Sequence, residues 1–279
     1  MITNLVVRPD GIIHCSNSKK AAELSYPDSG NDTYFSVEEG SFWFNHRNSV
    51  IKTVLSRFLP ETSQTPTLLD VGGGNGFVAK GLQDAGYEVV LVEPGARGAL
   101  NAKRRGVRSV INSVFSDLNF RKPLRMSVGL FDVLEHIQDD TGFLTDIHSS
   151  LEMSQHLILT VPSYQLLWSE EDVHAGHFRR YTKGQLARLL RQAGFQPLYS
   201  SYFFSFLPLP LFVLKALPSR LGLSRSSGSD ASVQNEHKQN GFIIKLFCKI
   251  ELLSLRFFSL PFGSSIVMIA KKMDRTPNS

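Results

Sequence analysis

The stretch from Thr67 to Gly76, TLLDVGGGNG, constrains this chain more than any other. Leu68, Leu69 and Val71 form a short apolar run that reads as a buried strand, and four of the next five residues are glycine. The backbone can therefore turn sharply with no Cβ in the way, and a small ligand can approach it closely. Val78, Leu82 and Ala85 then recur at helical spacing before Gly86, the residue favoured at a left-handed helix end. The expected unit is a strand, a glycine loop and a helix whose N-terminal N–H groups favour an anionic group.

Length and composition narrow the classes. A chain of 279 residues, 42% hydrophobic, suits one large domain with an elaboration, or one domain and a small second one. The first seven residues hold a short apolar cluster, Leu5 to Val7, with no longer apolar region and no small-residue cleavage site, so secretion is not expected. Cys15 and Cys248 are the only cysteines, which leaves no disulfide framework and no thiol-based zinc site. A cytoplasmic setting follows. Charge is uneven: residues 199 to 279 carry ten Lys or Arg against four acids, so the overall +5 resides there, together with nine of the 20 Phe residues. Basic and aromatic character together suggest a membrane surface or an anionic partner.

Along the chain, residues 1 to 44 read as an irregular arm, with a PDSGND loop at Pro27 to Asp32. A helix is expected from Asn45, since Val50, Ile51, Val54, Leu55 and Phe58 form one stripe and Pro60 ends it. After the glycine unit, strands are expected at Tyr87 to Glu93, Val107 to Asn112, Met126 to Phe131 and His156 to Val161. Helices separate them, at Gly95 to Arg105 and around Phe143 to Leu151. Such alternation implies a parallel sheet with helices on both faces. Thr182 and Gln185 form a capping box for a helix that places Leu186, Leu189, Leu190 and Ala193 inward, and Phe195 to Phe204 should pair as a strand. FSFLPLPLFVLKAL, Phe204 to Leu217, is apolar but broken by Pro208 and Pro210 and too short to span a bilayer; it reads equally as cover for a sheet edge or as membrane contact. Serine-rich residues 224 to 235 read as a flexible excursion. In Phe242 to Phe258, Ile243, Leu246, Phe247, Ile250, Leu253 and Phe257 share a side and Lys245, Lys249 and Arg256 lie elsewhere. Ser264 to Ala270 reads as a final strand.

Two cofactor patterns fit the loop. Gly74, Gly76 and Ala79 match the dinucleotide pattern G-x-G-x-x-A, with Glu93 near the position of a ribose-binding acid. Asp70, Gly72, Gly74 and Gly76 equally match D-x-G-x-G-x-G. The segments that follow decide between them: FDVLEHI at Phe131 to Ile137, LILTVPS at Leu157 to Ser163 and HFRRYTKGQLARLLRQAGF at His177 to Phe195. In this order, from about Leu68 to Phe204, the chain resembles the class I S-adenosylmethionine-dependent methyltransferases. The resemblance implies an α/β, doubly wound, Rossmann-like and mostly parallel seven-stranded sheet with an antiparallel last strand. It divides the chain into an arm (1–44), a cofactor-binding domain (45–203), a hydrophobic and basic helical insertion (204–262) and a final strand with tail (263–279). It also implies S-adenosylmethionine as cofactor. Asp70 would favour the ligand's ammonium, Gly72 and Gly74 would keep the wall open, and Glu93 would accept from both ribose hydroxyls. Where many relatives have an Asp for the adenine amine this chain has Val114, so adenine would rest on backbone near Val114 and Phe115, with Phe131 beside it.

Methyl transfer needs alignment of the acceptor and, for a hydroxyl, removal of its proton. His136, His174 and His177 follow the carboxyl ends of strands and are candidate bases; His136 equally suits a helix N-terminal hydrogen bonder. Arg179, Arg180 and Tyr181 would hold an acidic or glycosyl substrate, or form a structural salt-bridge cluster. Asp132, Glu135 and His136 resemble the metal-binding E-x-x-E-H of some quinone and RNA methyltransferases, with Asp in place of the first Glu; no metal is assigned. SFWFNHRN (Ser41 to Asn48) and PFGSS (Pro261 to Ser265) resemble parts of bacterial methyltransferases associated with glycan or lipid-linked glycan assembly. The reading is a methyltransferase acting on oxygen of a small-molecule, glycan or lipid-linked acceptor, cytoplasmic and peripheral at the membrane. A metal-assisted quinone-type O-methyltransferase is one alternative, and a non-catalytic cofactor-binding partner of a glycan-assembly complex is another. Nucleic acid is not expected, because the basic excess alternates with apolar residues.

Overall fold

The computed structural model describes residues 2–16, 30–59, 67–222 and 241–273. Its centre is a sheet in which β3 (Thr67–Val71) is flanked by β4 (Glu88–Glu93) and β6 (Ser127–Phe131). β5 (Ser109–Asn112) lies outside β4 and β7 (His156–Pro162) outside β6, all parallel. The last strand, β9 (Ser265–Lys272), inserts antiparallel between β7 and β8 (Phe195–Phe203). This is the Rossmann-like arrangement that the order of motifs implies.

The strands are apolar on both sides because both faces are covered. Leu69, Val71, Val128 and Leu130 point to one layer, which α5 (Asp140–Ser150) and α7 (Lys183–Gln192) close with Leu144, Ile147, Leu186 and Leu190. Their neighbours in the alternation, Leu68, Val89 and Leu91, point to the other. There α2 (Phe42–Phe58), α3 (Phe77–Asp84) and α4 (Ala96–Arg104) contribute Ile51, Leu55, Leu82 and Ala99. The α7 capping box forms as expected; Leu186, Leu190 and Ala193 are buried, and Leu189 partly so.

Three expectations need correction. The sheet has nine strands, not seven, because β1 (Leu5–Val7) and β2 (Ile13–Cys15) extend the β5 edge. The described residues of the 1–44 segment are thus not an irregular arm: they also form α1 (Gly30–Val37), packed near α4. Helix α2 begins at Phe42 and not Asn45, because the Ser41 hydroxyl accepts from Trp43 N–H and so caps it. Gly30 to Asp32, expected within a loop, form the first turn of α1 instead, while Pro27 to Ser29, Pro60 and the serine-rich 224–235 stretch lie outside the described residues. The segment after β8 is helical: α8 (Pro208–Leu211), a π-helical turn over Phe212–Ala216, and α9 (Leu217–Arg220). Pro208 occupies a first helical turn, where its missing N–H costs nothing. Then α10 (Phe242–Leu255) lies across α2. No helix among the described residues is long and apolar enough to cross a membrane.

Gly263 joins α10 to the final strand at a point of close backbone approach, where a Cβ would stand 2.2 Å from the Phe203 carbonyl oxygen. Backbone cannot yield there as a flexible side chain would. Gly263→Ala is expected to lower unfolding stability by about 3 kcal/mol or more. Gly184→Ala, at an open site on α7, should be neutral or stabilise by roughly 0.5–1 kcal/mol in the same thermal denaturation series.

Candidate active site

The carboxyl ends of β3, β4, β6 and β7 meet at one edge of the sheet, where open α/β sheets hold their ligands. Asp70 is in the penultimate position of β3 and fully buried, and neither of its carboxyl oxygens has a hydrogen-bond partner. Burial pushes this carboxyl up to about 7; nearby Arg47 pulls it down and Glu93 pushes it further up. An unpartnered buried acid is costly unless something cationic meets it.

Past Asp70 the chain makes its turn with Gly72 N–H bonded to the Val92 carbonyl at 2.7 Å and Gly76 N–H bonded to Gly73 at 2.9 Å. Gly74 has φ +52°, and a Cβ added there would meet nothing, so the loop leaves open space on that side. Glu93, at the end of β4, accepts from Gly74 N–H at 2.8 Å and Gly95 N–H at 2.7 Å. A carboxylate offers about four acceptor positions, so these bonds are compatible with accepting two ligand hydroxyls as well. Helix α1 borders this end: Asn31 and Glu93 both lie against Gly98, and Asn75 of the glycine loop donates to the Asn31 carbonyl at 2.8 Å.

The other wall comes from α2 and the turn after β6. Asp132 is held at φ +58°, a strained conformation for a non-glycine residue. Arg47 donates to its Oδ2, and the Thr160 hydroxyl donates to Oδ1 at 2.8 Å. The Arg47 guanidinium lies over the rings of Trp43, 4.9 Å from its centroid, and Phe44, at 5.2 Å. Next to Arg47, His46 bonds Glu251 of α10 at 2.7 Å inside the protein. Burial would raise the Glu251 carboxyl, but bonds from His46 and from the Ser205 hydroxyl and amide hold it below its ordinary value.

Two of the three candidate bases come together. The His136 and His177 rings meet edge to face with centroids 4.7 Å apart. His136 is lowered to about 4, first by burial and then by His177, with Asp132 opposing. His177 Nδ1 lies 2.8 Å from Asp172 Oδ1, and Arg180 clamps both oxygens of Asp172, at 2.8 and 3.0 Å. Burial opposes ionisation of Asp172, but the bonds from His177 and Arg180 prevail and keep it below the usual carboxylate range. An ionised Asp172 only accepts, which fixes the proton on His177 Nδ1 and leaves Nε2 as the basic nitrogen. Buried Glu135 lies beside this pair, its carboxyl pushed well up by burial and then by Asp132. Glu135, His136 and His177 each present a ligand atom, all within 4.8 Å of one another. His174 is exposed at the end of α6 (Glu170–His174).

The remaining predicted residues are engaged within the fold. Arg179 bonds Asp140 at 2.6 Å, Tyr181 donates to the same carboxylate at 3.0 Å, and Arg180 serves Asp172. Phe115 packs on Phe120 and Phe143 in the α5 layer. Phe131 lies in the opposite layer, its ring turned back over Gly129. Sequence reasoning gave no role to Asn31 or Asp172. Arg47 entered it only within the SFWFNHRN segment, and its pairing with Asp132 spans 85 positions.

The family described as "Methyltransferase domain" matches residues 43–200 of the chain. Among solved structures, the fold is similar to Haemonchus contortus phosphoethanolamine N-methyltransferase 2, solved with phosphomonomethylethanolamine and S-adenosylhomocysteine. That match has TM-score 0.55 and 17% identity over 89% of this chain and 58% of the other, so the chain spans little more than half of that enzyme's length. An S-adenosylmethionine-dependent methyltransferase from Thermotoga maritima matches with TM-score 0.51 and 15% identity, over 88% of this chain and 95% of that one. One from Archaeoglobus fulgidus matches with TM-score 0.51 and 18% identity, over 81% and 94%. At such identities the likeness is one of fold. No curated protein matches the chain by sequence.

Proposed function

The chain belongs to the methyltransferase-domain family, and from that premise we propose that it transfers a methyl group from S-adenosylmethionine to an oxygen of a small or lipid-linked acceptor. The observation that carries the cofactor assignment is Asp70, whose buried carboxyl has no partner of its own. The donor set fits: Asp70 lacks the cation that the ligand's ammonium would supply, Glu93 suits the ribose hydroxyls, and the wall at Gly74 is open. When bound, the cofactor supplies a methyl group activated on a sulfonium. The protein's own task is then to align the acceptor and take its proton.

His177 suits that task. Asp172 orients it, Arg180 holds Asp172, and the basic Nε2 remains to receive a proton from a hydroxyl. His136, neutral at physiological pH, packs beside it as an uncharged neighbour. Oxygen is favoured over nitrogen because an oriented base serves a hydroxyl more than an already nucleophilic amine. The test is S-adenosylhomocysteine formation with phenolic, saccharide, lipid-linked saccharide and primary amine acceptors. His177→Gln should lower kcat by roughly 10²–10⁴ while leaving cofactor affinity within about twofold. An unchanged kcat would remove His177 from the reaction, and turnover of the amine alone would replace oxygen by nitrogen.

A second reading rests on the Glu135, His136 and His177 cluster, whose mixed oxygen and imidazole donors suit a divalent cation. In that arrangement the metal would hold the acceptor oxygen, and His177 would act as ligand. Exhaustive chelation separates the two: the base reading predicts full activity without metal, the metal reading predicts its loss and recovery on adding Mg²⁺ or Zn²⁺.

A further inference from the structure

Helix α10 carries two apolar stripes, and only one of them faces the protein. Ile244, Cys248, Glu251, Leu252 and Leu255 form the stripe against α2, with Glu251 and Leu255 buried. Ile243, Leu246, Phe247, Ile250, Leu253 and Phe257 form the other, and every one of them is exposed. Phe242 is 80% exposed, Ile243 67% and Phe257 68%, values that belong to a solvated polar helix and not to one of this composition. The segment after β8 continues the surface: Phe206 stacks on Phe247 at 5.5 Å, and Leu209 and Leu214 are each 72% exposed. Scattered single apolar residues need no explanation, but a contiguous face of this kind marks an interaction site.

Charge selects the occupant. Among the described residues from 204 to 262, the cations are Lys215, Arg220, Lys245, Lys249 and Arg256, and the only acid is Glu251, which is buried against His46. Lys245, Lys249 and Arg256 recur at i, i+4 and i+11, in a row between the outward stripe and the protein-facing one. A second copy of the chain meeting this face through a two-fold axis would oppose cation to cation. A bilayer with anionic headgroups accepts the apolar stripe among its acyl chains and the lysine row at its headgroups.

We propose that α10 and the 206–221 segment form an interfacial docking surface that seats the protein on an anionic bilayer, with the candidate active site facing the headgroup layer. The surface is fixed to both walls of that site. Through Glu251 it holds His46, the neighbour of Arg47; through Lys215 to Glu171, at 2.6 Å, and Arg220 to the Leu166 carbonyl, at 2.8 Å, it holds the segment leading to Asp172 and His177. Resting on the methyltransferase reading above, this favours the lipid-linked acceptor over the freely soluble one.

The test is co-sedimentation of the full chain with vesicles of phosphatidylcholine alone or mixed equally with phosphatidylglycerol, with S-adenosylmethionine titration and analytical ultracentrifugation on the same preparations. The wild type should bind the anionic vesicles at least about tenfold more tightly than the neutral ones, and added salt should reduce that preference. Lys245→Gln with Lys249→Gln and Arg256→Gln should lose that tenfold preference. Ile243→Ser with Leu246→Ser and Ile250→Ser should lose vesicle binding of both kinds, with cofactor affinity and thermal unfolding unchanged. A wild type that ignores anionic vesicles overturns the proposal, as does a dimer that the serine variant dissociates. Vesicle binding without cofactor binding would leave the docking surface standing and refute the methyltransferase reading instead.

Discussion

The guanidinium of Arg47 is the interaction on which this site depends. Four carboxyl groups, Asp70, Glu93, Asp132 and Glu135, gather where the parallel strands end, and burying acids together raises the cost of ionising each. Arg47 bonds Asp132 directly and lowers the carboxyls of Asp70, Glu135 and Glu38 through space. It can do so because α2 holds it rigidly. The guanidinium lies over the Trp43 and Phe44 rings, which meet each other edge to face, the Asn48 side chain donates to the Phe77 carbonyl at 2.9 Å, and His46 is anchored to Glu251. The compensation leaves Asp70 without a hydrogen-bond partner and with its carboxyl raised to about 7, and in the proposed reading it is there that the ligand's ammonium is received.

The helix that carries Arg47 also links the site to the outside of the molecule. Its buried face packs on the sheet through Val50, Ile51, Val54 and Leu55, and its N-terminal turns touch the site on one side and α10 on the other. Glu251 accepts four bonds, from His46, the Phe204 and Ser205 amides and the Ser205 hydroxyl, so α10 is held by polar contacts where its outer stripe leaves it without apolar cover. A buried carboxylate satisfied in this way rigidifies the join between helix and sheet.

Much of this was legible in the residues, and the boundary between what was and was not is physical. The strand runs, the glycine loop, the capping box at Thr182 and Gln185 and the inserted last strand rest on local periodicity or on motif order, which the chain displays directly. β1 and β2 are three residues each and owe their existence to pairing with a distant edge strand, so no local pattern announces them. The composition of α10 revealed its amphipathic character but not which side α2 would cover, since both stripes are apolar. Asp70, Gly74 and Glu93 could be placed because they sit at the ends of readable strands. The Arg47–Asp132 pair could not, because it joins segments 85 positions apart that only the fold brings together; the Asp172–Arg180 pair spans eight positions across the turn after α6, where no periodic pattern marks it.

The central claim is that Asp70 waits for a cation, and the most direct measurement is calorimetric titration of S-adenosylmethionine from pH 5 to 8, in buffers of different ionisation enthalpy. With its carboxyl raised to about 7, Asp70 is protonated below that pH in the free protein, and an ammonium favours the carboxylate, so binding must release a proton there. The account predicts an affinity that is flat above pH 7 and weakens by up to about tenfold per unit below it, with the dependence lost in Asp70→Asn. An affinity indifferent to pH across that range, or binding of NADH in place of S-adenosylmethionine, would contradict it.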